Sequence, residues 1–150
     1  IENSTITGNK ADYGGGVYNA INGTLTLNRS LISGNKADEG PEIDNGGTVT
    51  ANNFNLFGAN GNAGVTGFAP GATDIVPGPG VTVSKILGPL KNNGGPTKTH
   101  ALKPGSPAID AIPSLDPGCT GKDQRGVDRP QDGDGDTIAR CDVGAFEGPP

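Results

Sequence analysis

The sequence predicts an all-β fold, a parallel β-helix (solenoid) followed by an irregular C-terminal cap, and three observations predict it. First, the phrase Ser4-Thr5-Ile6-Thr7-Gly8-Asn9-Lys10-Ala11-Asp12 recurs 26 residues later as Ser30-Leu31-Ile32-Ser33-Gly34-Asn35-Lys36-Ala37-Asp38. A period of this size belongs to solenoids, in which each repeat buries its apolar face by stacking on the next. Second, the apolar residues come in short alternating bursts of Ile, Val, Leu and Thr, which is strand periodicity. Third, Gly or Asn interrupts every candidate helix, and the i, i+3, i+4, i+7 pattern of an amphipathic helix is missing. The last two observations separate a parallel β-helix from a leucine-rich horseshoe of similar period.

Within the first repeat, Ser4 to Thr7 is a strand and Gly8-Asn9 a turn. Val17-Tyr18-Asn19 and Gly23-Thr24-Leu25-Thr26 supply two further strands. Their counterparts are Ile43-Asp44-Asn45 and Gly47-Thr48-Val49-Thr50, the latter at a spacing of 24 because one turn is two residues shorter. A degraded third copy runs from Asn52 to Asn60, with Gly58 standing 24 residues after Gly34. Stacked at roughly 4.8 Å, these coils place Ile6, Val17, Leu25, Ile32, Ile43, Val49 and Leu56 inward. Thr5, Thr7, Thr24 and Thr26 face outward. Gly8, Gly34 and Gly58, with Asn9 and Asn35, mark turns, because Gly takes positive φ freely and Asn tolerates it. Asn at equivalent turns can form a side-chain ladder between coils, a structural role. The organisation expected is therefore β-helix coils over 1–60, an irregular connecting region continuing the solenoid over 61–86, and a cap over 87–150. Val81-Thr82-Val83 and Ile86-Leu87 read as strand-like near the junction.

The 150 residues include 27 Gly and 13 Pro but only six aromatics, with no Met or Trp, so the core is a narrow aliphatic column. A net charge of −5 with no basic stripe argues against a nucleic-acid partner. No run of 18 apolar residues exists, so the segment contains no membrane span. Opening on Ile1 in mid-repeat, without Met or a leader, predicts a processed product or a piece of a longer chain. A first coil that begins abruptly exposes strand edges. The expected partners are preceding coils of its own longer chain or neighbouring copies by edge stacking, and head-to-tail stacking of copies gives a filament.

Cys119 and Cys141 lie 22 residues apart, without the C-x-x-C spacing of zinc or redox sites. A disulfide is the expected state, with two buried free thiols as the alternative. Such a bridge adds roughly 3 kcal/mol by loop entropy and belongs to an oxidising compartment.

Asp132-Gly133-Asp134-Gly135-Asp136 is the one dense carboxylate cluster. Alternating Asp on a flexible Gly loop can converge on one hard cation, with the Ile138 carbonyl as a further oxygen, so calcium is the expected cofactor. The EF-hand register is imperfect. Asp132, Asp134 and Asp136 fill its positions 1, 3 and 5, but Thr137 replaces the Gly and Val143 stands where the final Glu belongs. Asp142, one position earlier, closes the shell only if re-aimed. A solvated acidic turn is the alternative. His100, the sole histidine, has no Ser, Cys or metal partner in sequence and reads as structural. Arg125 has Asp128, Asp110 and Glu147 as candidate partners. Asn3-Ser4-Thr5, Asn22-Gly23-Thr24 and Asn28-Arg29-Ser30 match glycosylation acceptors, a pattern common by chance in Asn- and Thr-rich chains.

Leu87-Gly88-Pro89-Leu90-Lys91-Asn92-Asn93-Gly94-Gly95-Pro96-Thr97-Lys98-Thr99-His100-Ala101-Leu102 is followed by Pro104-Gly105-Ser106-Pro107-Ala108-Ile109-Asp110. Further on stand Asp123-Gln124-Arg125-Gly126, Arg129-Pro130 and Cys141-Asp142-Val143-Gly144-Ala145-Phe146-Glu147. Together these motifs resemble the C-terminal signature of bacterial choice-of-anchor Q domain surface proteins, and residues 1–60 are similar to the coils that precede that domain. The resemblance implies a right-handed parallel β-helix of the pectate-lyase-like class, secretion, and attachment to a cell envelope through a sorting tail. The sequence stops at Pro149-Pro150 before any such tail, and the expectation is that the tail was removed or lies outside this segment. The resemblance brings no catalytic residues. The expectation is an extracellular, cell-surface structural or adhesion module, non-catalytic, and a subunit of a surface fibre, closed at its C-terminal end by the disulfide-linked cap.

Two alternatives belong to other classes. A carbohydrate-binding module would take a surface glycan as partner, with Tyr13 and Tyr18 as its only tyrosines for stacking. A polysaccharide lyase needs clustered carboxylates holding calcium beside a Lys or Arg base. Asp12, Asp38 and Asp44 are instead scattered among Lys10, Arg29 and Lys36, and the recurring Lys-Ala-Asp reads as a repeat-wide surface pair.

Overall fold

Three successive passes of the chain lay down eight short strands in a repeating order. The computed structural model describes residues 1–148, and the last two positions of the expected 87–150 cap lie outside the described residues. The first pass gives β1 (Thr5–Ile6), β2 (Val17–Asn19) and β3 (Thr24–Thr26). The second gives β4 (Leu31–Ile32), β5 (Ile43–Asn45) and β6 (Thr48–Thr50). The third gives β7 (Leu56–Phe57) and β8 (Val65–Thr66). Strands pair only with their equivalents in neighbouring passes, forming the sheets β1-β4-β7, β2-β5-β8 and β3-β6, all parallel. Single bridges between Glu2 and Asn28, Lys10 and Lys36, and Tyr13 and Glu39 continue the pairing between strands.

Register places like on like. Ile6, Ile32 and Phe57 align in one sheet, Val17, Ile43 and Val65 in the second, and Leu25 and Val49 in the third. These side chains meet in one apolar column, completed by fully buried Leu27 and by Phe68. The Phe68 ring packs edge-on against Phe57, 5.9 Å between centroids. Apolar burial at roughly 25 cal/mol per Å² is the main favourable term for strands this short, which could not persist alone. All of the predicted inward set lies in this column except Leu56, which is buried on the opposite side of its sheet.

The corners repeat in register between the first two passes and shift by one or two residues at the glycines of the third. Positive φ recurs at Asn3, Arg29 and Phe54, again at Gly8, Gly34 and Gly58, and again at Gly14, Gly40 and Gly64. The first of these corners tolerates side chains because hydrogen bonds hold it. The backbone N–H of Asn3 donates to Asn28 O, and Arg29 N to Asn53 O.

A fourth, shorter pass follows β8, where Ile75 bridges Leu56 and Phe57 N donates to Ile75 O. The strand-like reading of Val81-Thr82-Val83 is not what forms. Val81 is tied into a turn by its bond to Gly78 O and by Asn60 N donating to Val81 O. The chain then makes the single helical turn α1 (Val83–Ile86), which buries Ile86. The need to leave the stack overrides β-branched propensity here. Strand β9 (Leu87–Lys91) and β10 (Thr99–Leu102) follow as an antiparallel hairpin.

Residues 103–148 carry turns and isolated antiparallel bridges, among them Ile112 with Cys141 and Gln131 with Arg140. They cover the side of the β1-β4-β7 sheet. Leu31 and Leu56 point out of that sheet into a second cluster with Ile86, Leu87, Ala108, Ile112, Cys119, Cys141 and Val143. Ala145 N donates to Thr5 Oγ1, and Gly144 N donates to Arg29 O. Gly144 has φ +101°, and a Cβ there would lie 2.6 Å from Thr5 Oγ1, so the approach requires glycine. The expected end closure is thus corrected to a lateral cover. Its cause is the pair Leu31 and Leu56, whose outward faces need burial.

Candidate cation site in the C-terminal cover

The cover is pinned by a disulfide between Cys119 and Cys141, Cα to Cα 5.5 Å, both sulfurs buried in the second cluster. Beside it runs an inner ion pair. Arg129 reaches Glu147 Oε2 at 2.9 Å and donates to the carbonyls of Asp142 and Gly144. Glu147 also accepts from Gln131 N and Asp142 N. Burial pushes Glu147 up to about 7, against the pull of Arg129 and of those amide bonds. Arg125 lies over the Phe146 ring, 3.5 Å to its centroid, pairs with Asp123, and donates to the Glu147 carbonyl. Of its three candidate partners it meets Glu147 alone, through main chain, while Asp128 pairs with Lys122 at 2.5 Å.

The Asp-Gly loop folds back on itself because its carboxylates accept their own backbone amides. Asp132 takes Gly135 N at 2.7 Å and Thr137 N at 2.9 Å, and Asp134 takes Asp136 N at 3.0 Å. Gly133 N donates to Asp110 Oδ2 at 2.9 Å, which brings a carboxylate 22 residues upstream to the loop. One carboxylate oxygen from each of Asp110, Asp132 and Asp134 lies within 4.8 Å of the others. This is the only such group of acidic, His or Cys side chains among the described residues.

The predicted ligands divide. Asp132 and Asp134 join the group. Asp136 turns to Arg140 Nη1 at 2.9 Å and to Ile138 N at 2.8 Å, and its carboxyl is held below the ordinary value first by Arg140. Ile138 serves there as an amide donor. Asp142 is fully buried and accepts from Asp110 N at 2.8 Å and Gly148 N at 2.5 Å, so it positions Asp110. Burial raises both Asp110 and Asp142, and the charges of Asp134 and Asp132 push Asp110 further up. Asp110 has no signal in local spacing, since its link to the loop exists only after folding.

Elsewhere, His100 Nδ1 sits 2.7 Å from Gly88 O within the hairpin, an anchoring contact. The lyase candidates stay with the repeat, Lys10 bridged to Lys36 and Asp38 N donating to Asp12 O. Asp44 lies opposite Tyr18 and Thr66. Arg29 is occupied by Asn3, Glu2 and Asp116, a clamp between the corner of the second pass and the cover. Among the described residues no helix is long and apolar enough to cross a membrane. Comparison with protein-family models, curated proteins and solved structures found no match for this chain.

Proposed function

We propose that the chain is an extracellular, cell-surface structural or adhesion module, built as a right-handed parallel β-helix with a disulfide-linked lateral cover, and that it performs no chemistry itself. The observation that carries this reading is the parallel stacking of three passes in register, with apolar side chains superposed at the column-facing position of each sheet. Right-handedness follows the strong preference of parallel crossover connections. The disulfide suits an oxidising compartment, and the choice-of-anchor Q resemblance supplies the envelope setting. Strands β1, β2 and β3 each lie at the edge of their sheet in this segment. Such edges accept a further strand, either from preceding coils of a longer chain or from a neighbouring copy, which is the route to a surface fibre.

Antibody labelling of intact, unpermeabilised cells tests the surface assignment. Labelling before lysis is expected, and labelling only after lysis contradicts it. Cleavage of polygalacturonate by the pure chain, lost in Asp38→Asn or Asp44→Asn, would overturn the non-catalytic reading. A glycan remains a candidate partner for exposed Tyr13 and Tyr18, which the first pass presents to solvent.

A further inference from the structure

We propose that Asp110, Asp132 and Asp134 bind one calcium ion, which locks the 132–138 loop onto the buried body of the cover. The inference stands apart from the surface-module reading and holds whatever the chain does outside the cell. Two independent observations carry it. The first is convergence, three carboxylate oxygens from two distant stretches of chain lying within 4.8 Å of one another. The second is the state of Asp110. This residue is only 8% exposed, and its Oδ1 is shielded from solvent with no hydrogen-bond partner. A buried acceptor left unmade costs about 1–3 kcal/mol, more when charged, so native chains rarely keep one without a water or an ion to satisfy it. The same carboxylate already contributes to the group, and Asp142 fixes its backbone by accepting Asp110 N.

The chemistry selects the ion. All three donors are carboxylate oxygens, with no thiolate or imidazole, which suits a hard cation over zinc or copper. Calcium at 2.3–2.6 Å from each ligand spans roughly 4.6–5.2 Å across its shell, whereas magnesium at 2.0–2.1 Å spans only about 4.2 Å. Oxygens within 4.8 Å of one another can share one such ion, and a shell made of a Gly-flexible loop and a distant carboxylate suits the adaptable coordination of calcium better than the strict octahedron of magnesium. The shell has an approach from solvent. Pro104, Ser106, Ile109, Gly133 and Asp134 line a cleft beside the group, leaving room for the waters that calcium sites commonly retain. Asp136 is outside the site because Arg140 holds it.

The test titrates calcium chloride into the chelator-stripped chain by calorimetry, alongside thermal unfolding, with magnesium chloride in parallel. One calcium site and a calcium-dependent rise in Tm are expected, with Asp134→Asn weakening binding by about tenfold or more and Asp136→Asn changing it less than about threefold. Asp110→Asn is expected to abolish binding. Should that buried variant fail to fold, the more exposed Asp132→Asn and Asp134→Asn carry the decision. No heat and no stabilisation up to about 10 mM calcium, beyond the range of weak extracellular sites, overturns the proposal. So does Asp136→Asn losing as much affinity as Asp134→Asn, or magnesium binding as tightly as calcium.

Discussion

Asn35 and Glu42 show how single side chains lock one pass onto the next. Asn35 Oδ1 accepts both Asn9 N and Asn9 Nδ2 at 3.0 Å, and its Nδ2 donates to Ile6 O. Glu42 in turn accepts from Gly34 N, Asn35 N and Asn35 Nδ2. A second ladder links Asn19 to Asn45 at 2.6 Å, and a third links Asn53 to Asn28 at 3.0 Å. Where Asn gives out, Asp74 takes over, accepting from Asn52 N, Asn53 N and Asn55 N. Removing Glu42 leaves buried amides of the Gly34 turn without an acceptor. Glu42→Ala is expected to cost about 2–4 kcal/mol, read as a lowered urea midpoint, and a loss below about 1 kcal/mol would contradict the role. The Asn ladder was legible because Asn9 and Asn35 recur in the repeated phrase. Glu42 was not, because its register equivalent in the first pass is Gly16, which offers nothing to compare.

At the scale of elements, β1 to β7 were readable, whereas β8 (Val65–Thr66), which lies past Asn60 where the repeat phrase is lost, and the segments of the cover were not. Strand positions declare themselves through alternating apolar residues, whereas residues 103–148 are held by side-chain-to-backbone bonds between distant points, which leave no period. The hairpin β9 and β10 and the disulfide fall between these cases, since one has local strand character and the other only two candidates. The segment from Cys141 to Glu147 illustrates the physics of the cover. Glu147 is fully buried, and its carboxyl is raised by burial from 4.5 to about 7. A folded-state pKa above the unfolded value means that the native chain holds more protons between those limits, so stability falls as pH rises through that window. Asp142 and Glu42 are shifted upward by burial and act in the same direction. Urea midpoints are expected to fall from pH 4.5 to about 7, and Glu147→Gln to flatten that fall. Midpoints that rise across this range would contradict the assignment.

The whole molecule is two apolar clusters sharing one sheet. Ile6, Ile32 and Phe57 face the column, while Leu31 and Leu56 face the cover. This doubled burial was present in the sequence as Thr5, Leu31 and Leu56 at one outward position, a trend from polar to apolar that signals a second packing partner. An isolated solenoid with one buried face per strand hides that signal. The candidate site was half legible for a related reason. Asp132 and Asp134 advertise themselves by spacing, but Asp110 arrives only when the cover closes, and Arg140 removes Asp136 from the set.

Two apolar clusters on opposite faces of one sheet should unfold as one unit, and the shared sheet supplies the coupling. Gly144 sits at the seam, against Thr5 and Leu31, and Gly144→Ala introduces both a strained φ and a clash there, with an expected cost of at least about 1 kcal/mol. Native-state hydrogen exchange by NMR tests the coupling most directly. Leu31 N and Ser33 N, bonded to Ser4 and Ile6 of the first pass, and Cys141 N and Gly144 N, bonded to Ile112 and Arg29, report the two sides of the sheet. The same opening free energy is expected for all four amides, lowered together by Gly144→Ala. Exchange of Cys141 and Gly144 at a much lower free energy, with Leu31 and Ser33 still protected and unaffected by the substitution, would contradict a single stacked and laterally covered unit.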